Sequence, residues 1–362
     1  MKKDGLFNFL SSALVVIVGL LIGFIILLIS NSDQAVAAFV TILTFGVGSM
    51  RNVGDVLLLA TPIILTGLSV AFAFKTGLFN IGASGQFTIG GFVAIFIGVQ
   101  FTFIPAPLRI LLAVVLATLF GALWGAIPGI LKAYCNVHEV ISSIMTNYIG
   151  MFLVNFLIIN SIFDQGRGTT TRLPEDSNLP TLGLGYIFRD QMRASHINIG
   201  IIIAILVAIL IYIILEKTTF GYELKACGFN KDAAKYAGIN ENKNIVLSMM
   251  ISGALAGLAG AFNYMGGTGL SMSMVDALAP EGFTGISVAF LGLSHPIAII
   301  FSGTLVSYLY LGGARMQVFG FSIEIIEMVI SIIIYFCAFV FLVKSFLLSK
   351  YERQSKPKEE SQ

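Results

Sequence analysis

Residues 216–243 read EKTTFGYELKACGFNKDAAKYAGINENK, a polar stretch set between two apolar runs, Ile197–Leu215 and Ile245–Met265. It carries Lys217, Lys225, Lys231, Lys235 and Lys243 against Glu216, Glu223, Asp232 and Glu241. Gly221, Gly228 and Gly238 punctuate it, and the run Phe229–Ala237 between the last two has helical composition. Two readings of the stretch stay open: a solvated loop, or a short helix that docks into another protein's groove. Its flanks decide the fold class. Apolar runs of about 20 residues are the length a helix needs to cross a bilayer.

Working outward, the whole chain has the same character. Hydrophobic residues make up 57% of the 362 and charged residues 11%, with a mean hydropathy of +0.92. The expected fold is an all-α polytopic membrane protein: one transmembrane domain over 1–343, then a charged tail over 344–362. About ten segments are read: Ala13–Ser30, Val56–Phe74, Phe87–Phe103, Ile110–Leu131, Val140–Asn160, Ile197–Leu215, Ile245–Met265, Phe283–Leu293, Ile297–Leu311 and Ser322–Val343. The eighth is too short to span alone and, with the ninth, also reads as one broken hairpin. The first run exceeds the roughly 7–15 apolar residues of a signal peptide, so it is expected to stay as a helix.

Placing both termini in the cytoplasm puts 14 of the 21 Lys and Arg residues inside. These are Lys2, Lys3, Lys75, Lys132, the five lysines of 216–243, and Lys344, Lys350, Arg353, Lys356 and Lys358 of the tail. The long interlude 161–196 then falls outside the cell. Cys135, Cys227 and Cys337 stand far apart and are expected to be unpaired.

Several kinds of chemistry are missing. The chain has no Gly-Lys dipeptide, so it holds no ATP-binding P-loop. His138-Glu139 lacks the second histidine of a zinc-protease helix, and no nucleophile is paired with a base. Asp55, Glu139, Glu324 and Glu327 all fall in terminal turns of their segments, which leaves no charged relay for ion coupling. The chain reads as a pathway whose energy comes from elsewhere, with no cofactor, metal or nucleic acid of its own.

Three polar interruptions are candidates for lining that pathway. Lys75–Gln86 brings Thr76, Asn80, Ser84 and Gln86 among three glycines; irregular backbone at membrane depth is tolerated only when buried or facing a cavity. His138–Gly150 puts Glu139, Ser143, Thr146 and Gly150 within one arc, with Asn147 at its edge, and Asn147 and Tyr148 are read as path residues. Glu139 also has a plainer role, complementing a helix dipole. Pro280–Ser287 opens the short eighth segment with Phe283 and Thr284, and a half-helix start aims free N–H groups inward. Small residues at Ala117, Gly121, Gly125 and Gly129, and at Gly253 and Gly257, read as helix-packing faces.

Four motifs together carry a family resemblance: NIGxxGQ (Asn80–Gln86), HEVxxxIMxNYI (His138–Ile149), FGYELKACGxNxxAAKYAGI (Phe220–Ile239) and EGFTGISVAFLG (Glu281–Gly292). The chain resembles the inner-membrane permease subunits of ABC importers, in the branch of ribose and branched-chain amino-acid permeases. It is most similar there to the nucleoside-uptake permeases. The resemblance implies a bacterial plasma-membrane subunit paired with a second related permease over cytoplasmic ATP-binding subunits, fed by an extracytoplasmic solute-binding lipoprotein. It implies that 220–239 is the coupling element, with Gly228, Phe229, Lys231, Ala233, Ala234, Lys235, Ala237 and Gly238 meeting the ATPase. The path is expected along Asn80, Ser84, Gln86, Glu139, Asn147, Tyr148, Phe283 and Thr284. Simple sugars are the alternative cargo, and an ATP-independent facilitator the alternative class.

Overall fold

The computed structural model describes residues 2–191, 193–267 and 270–355. Lys356 and Lys358 of the charged tail lie outside the described residues. In chain order the helices are α1 (Lys2–Ser30), α2 (Ser32–Thr44), α3 (Met50–Lys75), α4 (Ala83–Gln100), α5 (Ala106–Cys135) and α6 (Glu139–Ser161). A two-stranded hairpin, β1 (Phe163–Asp164) and β2 (Thr169–Thr170), and the single turn α7 (Leu184–Ile187) occupy the interlude. Then follow α8 (Gly200–Lys217), α9 (Thr219–Phe229), α10 (Lys231–Tyr236), α11 (Glu241–Met265), α12 (Pro280–Leu291), α13 (Pro296–Arg315), α14 (Ile323–Cys337) and α15 (Val340–Ser355). This is an all-α polytopic membrane protein.

Among the described residues, eight helices are long and apolar enough to cross a bilayer, and α14 with the start of α15, bent by 42°, makes a ninth. The eighth segment read from the sequence is built differently. Asn198 Nδ2 donates to Gly266 O at 2.8 Å, which ties the end of α11 to the start of α8, at the end of the bundle away from Lys75. Residues 270–279 are not helical, and α12 begins against the middle of α3. A methyl added at Gly285 would sit 2.7 Å from the Thr66 carbonyl carbon. Thr66 is nine residues before Lys75, about 13 Å along a helix axis and so near mid-depth of a ~30 Å apolar layer. α12 then runs to the Lys75 end, where Leu291 and His295 line one cavity with Lys75. Loop plus half-helix therefore does the work of a span, and α12 is not one half of a helical hairpin dipping in from the loop face.

Asn8 of α1 and Lys344 of α15 line that same cavity, so the first turns of α1 and the start of α15 lie on the face of Lys75. A second pocket brings Lys132 to Cys227, Gly228 and Lys231, placing 216–243 there too. Lys75, Lys132, Lys231 and Lys344, four of the cations assigned to one face from charge, share that face in space. Two details differ from the sequence reading. The helix α2 has no counterpart among the ten segments, because its 13 residues with Asp33 and Gln34 are too short and polar to read as a span. The last segment continues as helix into the tail as far as Ser355 instead of ending at Val343.

The core is α3 wrapped by α8, α11, α12 and α13, with α4 and α5 packed on the far side of α11. Gly121, Gly125, Gly253 and Gly257 meet backbone to backbone: a methyl at Gly257 would lie 2.5 Å from Ala117 O. The two small-residue faces read from sequence are the two sides of this single contact. The interlude is anchored to the bundle. Arg109 in α5 is 1% exposed and bonds Asp176 at 2.6 Å, and Thr170 N donates to Met272 O at 3.0 Å.

Candidate functional site

Two half-helices start at the same place. Lys75 ends α3, but the chain does not leave the bundle there; Gly77 turns it back with φ +73°. Residues 76–82 re-enter beside α3 and α11, so that α4 begins well inside the end of α3. Ser84 Oγ donates to Ala279 O at 2.8 Å, and a methyl at Gly282 would come within 2.5 Å of Ser84 Cα. The first turns of α4 and α12 therefore abut, and the helices run apart, α12 toward the Lys75 end and α4 away from it. Neither N-cap residue, Gly82 or Ala279, supplies a side-chain cap, and at α4 only the Gly85 N–H is taken from outside, by Asn147 of α6. Helix starts carry partial positive charge and unpaired N–H groups, so their meeting at mid-depth makes a polar centre in an apolar bundle.

A clamp of amides holds the re-entrant turn. Asn80 Nδ2 donates to Gln86 Oε1 at 2.8 Å and to Ser252 Oγ at 2.7 Å, and Gln86 Nε2 returns a bond to Asn80 Oδ1 at 3.2 Å. Ser252 Oγ donates to Ser69 O at 2.7 Å, and Thr76 and Ser248 hydroxyls meet at 2.7 Å. Asn147 reaches across from α6: its Oδ1 accepts from Gly85 N at 2.8 Å and its Nδ2 donates to Ile81 O at 3.0 Å. Asn80, Ser84, Gln86 and Asn147 are all fully buried. The irregular backbone at membrane depth is thus satisfied inside the protein, as bilayers demand.

This geometry sorts the expected path residues. Asn80, Gln86 and Asn147 hold the α4 start and have their amides occupied. Ser84, Phe283 and Thr284 sit at the junction itself. Phe283 is 39% exposed, and the Thr284 hydroxyl faces the Tyr310 hydroxyl at 3.4 Å. Glu139 and Tyr148 lie elsewhere. Glu139, in the first turn of α6 on the loop face, pairs with Lys132 at 2.8 Å, and Tyr148 projects from the exposed face of α6. Sequence reasoning passed over three groups near the junction. Glu281, in the first turn of α12, bears electrostatically on both Tyr264 of α11 and Tyr310 of α13. Its place one residue after Pro280, at a helix start, was the available signal. The two tyrosines had none, since each stands alone in an apolar run.

The loop face carries the second candidate surface. The run Phe229–Ala237 is not one helix: Asn230 breaks it, ending α9 and capping α10 by accepting from Ala233 N at 3.0 Å. Phe229 and Tyr236 flank α10 and are 90% and 95% exposed. Two bare aromatic rings beside Lys231 and Lys235 form a surface shaped for burial against a partner. Ala233 and Ala237 are exposed as well, but Ala234 is buried against its own chain and offers nothing to a partner. Gly238 closes the element with φ +81°, a conformation that suits glycine. Gly228 does the connecting. A methyl there would fall 2.6 Å from Lys75 O and 2.9 Å from Gly77 N, so α9 rests directly on the turn that leads to the α4 start.

Residues 52–338 match the family described as branched-chain amino acid transport system / permease component. The chain belongs to this family. It is a multi-pass membrane permease subunit of the ABC transporter class, and ATP hydrolysis belongs to other subunits. The permease is 39% identical to the guanosine ABC transporter permease protein NupP of Bacillus subtilis, over 94% of this chain and 95% of that one. It is 37% identical to the nucleoside ABC transporter permease protein NupB of Lactococcus lactis, over 92% and 91%. The glucose ABC transporter permease protein TsgB13 of Haloferax volcanii is 29% identical, over 93% and 88%. The first two organisms each hold a second, more distant match, NupQ and NupC. No solved structure shows a significant match.

Proposed function

We propose that this permease carries nucleosides inward across the plasma membrane, with its 216–243 face in the cytoplasm. The supporting observation is the junction of the α4 and α12 starts, in a chain similar over nearly its whole length to guanosine and nucleoside permeases. A nucleoside is uncharged, with a flat apolar base and a rim of donors and acceptors. At the junction Phe283 offers a face for the base, and Thr284, Tyr310 and Glu281 offer hydroxyl and carboxylate groups for the rim. Each contact is modest, as release requires.

Coupling follows the contacts already described. A cytoplasmic ATP-binding subunit grips α10 by Phe229 and Tyr236; its motion reaches Gly228, then Gly77, then the clamped turn 76–82, and so the start of α4. A second, related permease completes the pathway, consistent with paired permeases in both related systems. An extracytoplasmic solute-binding lipoprotein delivers cargo at the 161–196 side. The chain needs no cofactor of its own. The similarity to a glucose permease keeps simple sugars as the second reading.

The test is uptake of radiolabelled guanosine and ribose by cells lacking their own nucleoside importers, expressing this chain with its ATP-binding subunit, second permease and binding protein. Guanosine uptake that stops when the ATPase is inactivated is expected. Ribose uptake without guanosine uptake would overturn the cargo, and robust uptake by the chain alone would overturn the coupling.

A further inference from the structure

A large cavity lies away from the junction. It lies on the loop face, about 1020 Å³ in volume, between α1, the α12–α13 turn and α15. Its wall is mostly apolar, with Val16, Leu305, Phe301 and Phe341 among its residues. Phe301 is 73% exposed, so the cavity opens sideways along α13, toward the apolar layer. A water-filled vestibule for a nucleoside would carry more polar groups.

Its mouth is cationic. Lys75 ends α3 and Lys344 lies early in α15, both partly buried, both lining the cavity and close enough to repel each other. Neither forms an ion pair among the described residues. The carboxylate that bears electrostatically on Lys75 is Glu216, and Lys225 already holds it at 3.0 Å. His295 adds a third nitrogen-bearing side chain, and Asn8 Oδ1 is buried there with no partner. Two like charges kept together beside an apolar groove, with the local carboxylate taken, call for an anion carrying hydrocarbon.

We propose that this cavity binds one anionic phospholipid, its phosphate between Lys75 and Lys344 and its acyl chains along the α1–α13 wall. The bound lipid joins the first helix and the last to the α12–α13 turn, elements otherwise held there by few polar contacts, such as Ser12 Oγ donating to Leu291 O at 2.9 Å. The site does not depend on which solute is carried.

The test is native mass spectrometry of the delipidated full-length chain, titrated with dioleoyl phosphatidylglycerol or dioleoyl phosphatidylcholine. Two near-surface lysines favour the anionic lipid by roughly 30-fold, about fivefold each. Lys75→Gln with Lys344→Gln should erase that preference, and Ala298→Phe, which fills the cavity, should abolish saturable binding of both lipids. Lys217→Gln, an exposed lysine on the same face, should change nothing. Equal affinity for the two lipids, or an anionic preference that survives the double substitution, overturns the proposal. So does displacement of the lipid by millimolar inorganic phosphate, which would make the site one for a free anion. If the lysine substitutions instead weaken capture of the ATP-binding subunit and leave lipid binding intact, the face belongs to that subunit and the proposal fails.

Discussion

Asn147→Leu separates holding the pathway from touching the cargo. The amide of Asn147 makes two bonds, accepting from Gly85 N at 2.8 Å and donating to Ile81 O at 3.0 Å, and it is fully buried. Leucine is close in size but makes neither bond. It leaves one backbone N–H and one C=O unpaired where water does not reach, at about 1–3 kcal/mol each, or roughly 2–6 kcal/mol together. The turn cannot move aside, because a methyl at Gly85 would already be 2.8 Å from Asn147 Cα. A loss of that size is comparable to the whole stability of many domains. Asn147→Leu is therefore expected to reduce the yield of folded subunit and lower its melting temperature in detergent, measured by fluorescence-detected size exclusion after heating. Tyr148→Leu, one residue on and solvent- or lipid-facing, should stay within about 0.5 kcal/mol of the parent. The sequence alone suggests the opposite for Asn147, an intact complex with poor uptake. Wild-type melting and assembly together with lost uptake would refute the clamp and restore Asn147 as a cargo contact.

Other expectations follow from the same contacts. Phe229→Ala with Tyr236→Ala should leave membrane insertion intact and weaken co-purification of the ATP-binding subunit by tenfold or more, since exposed aromatic anchors each carry about 2 kcal/mol or more in such interfaces. Gly228→Val should preserve that binding but uncouple ATP hydrolysis from uptake, because its side chain would push α9 off Lys75 O and Gly77 N; tight coupling in a purified complex would contradict this. A membrane-impermeant maleimide should label exposed Cys135 in inside-out vesicles and not in intact cells, while Cys227 reacts slowly, its thiol pushed up by burial. Labelling of Cys135 from outside would invert the orientation.

Much of this was legible in the residues. The long apolar runs, the glycine faces of α5 and α11 and the clustering of lysines on one face are properties of spacing and composition. The abutting starts of α4 and α12 were half legible: both Asn80–Gln86 and Pro280–Ser287 stand out as polar breaks, but nothing local says that Ser84 meets Ala279 across 195 residues. Roles within the breaks were harder. An amide that clamps a turn and one that greets a solute look alike in sequence, so Asn80, Gln86 and Asn147 read as path residues until their partners were seen. Tyr264, Tyr310 and the buried face of Ala234 depend on tertiary neighbours that no period or motif encodes.

The most direct measurement is photolabelling of the assembled importer with 8-azidoguanosine, followed by peptide mapping of the adducts. Labelling confined to Glu281–Thr284, Tyr264 or Tyr310, and suppressed by excess guanosine, is the result expected if cargo passes the meeting point of the two half-helices. Guanosine-protected adducts found only on α6 around Tyr148, or elsewhere in the chain with the junction unlabelled, would contradict it.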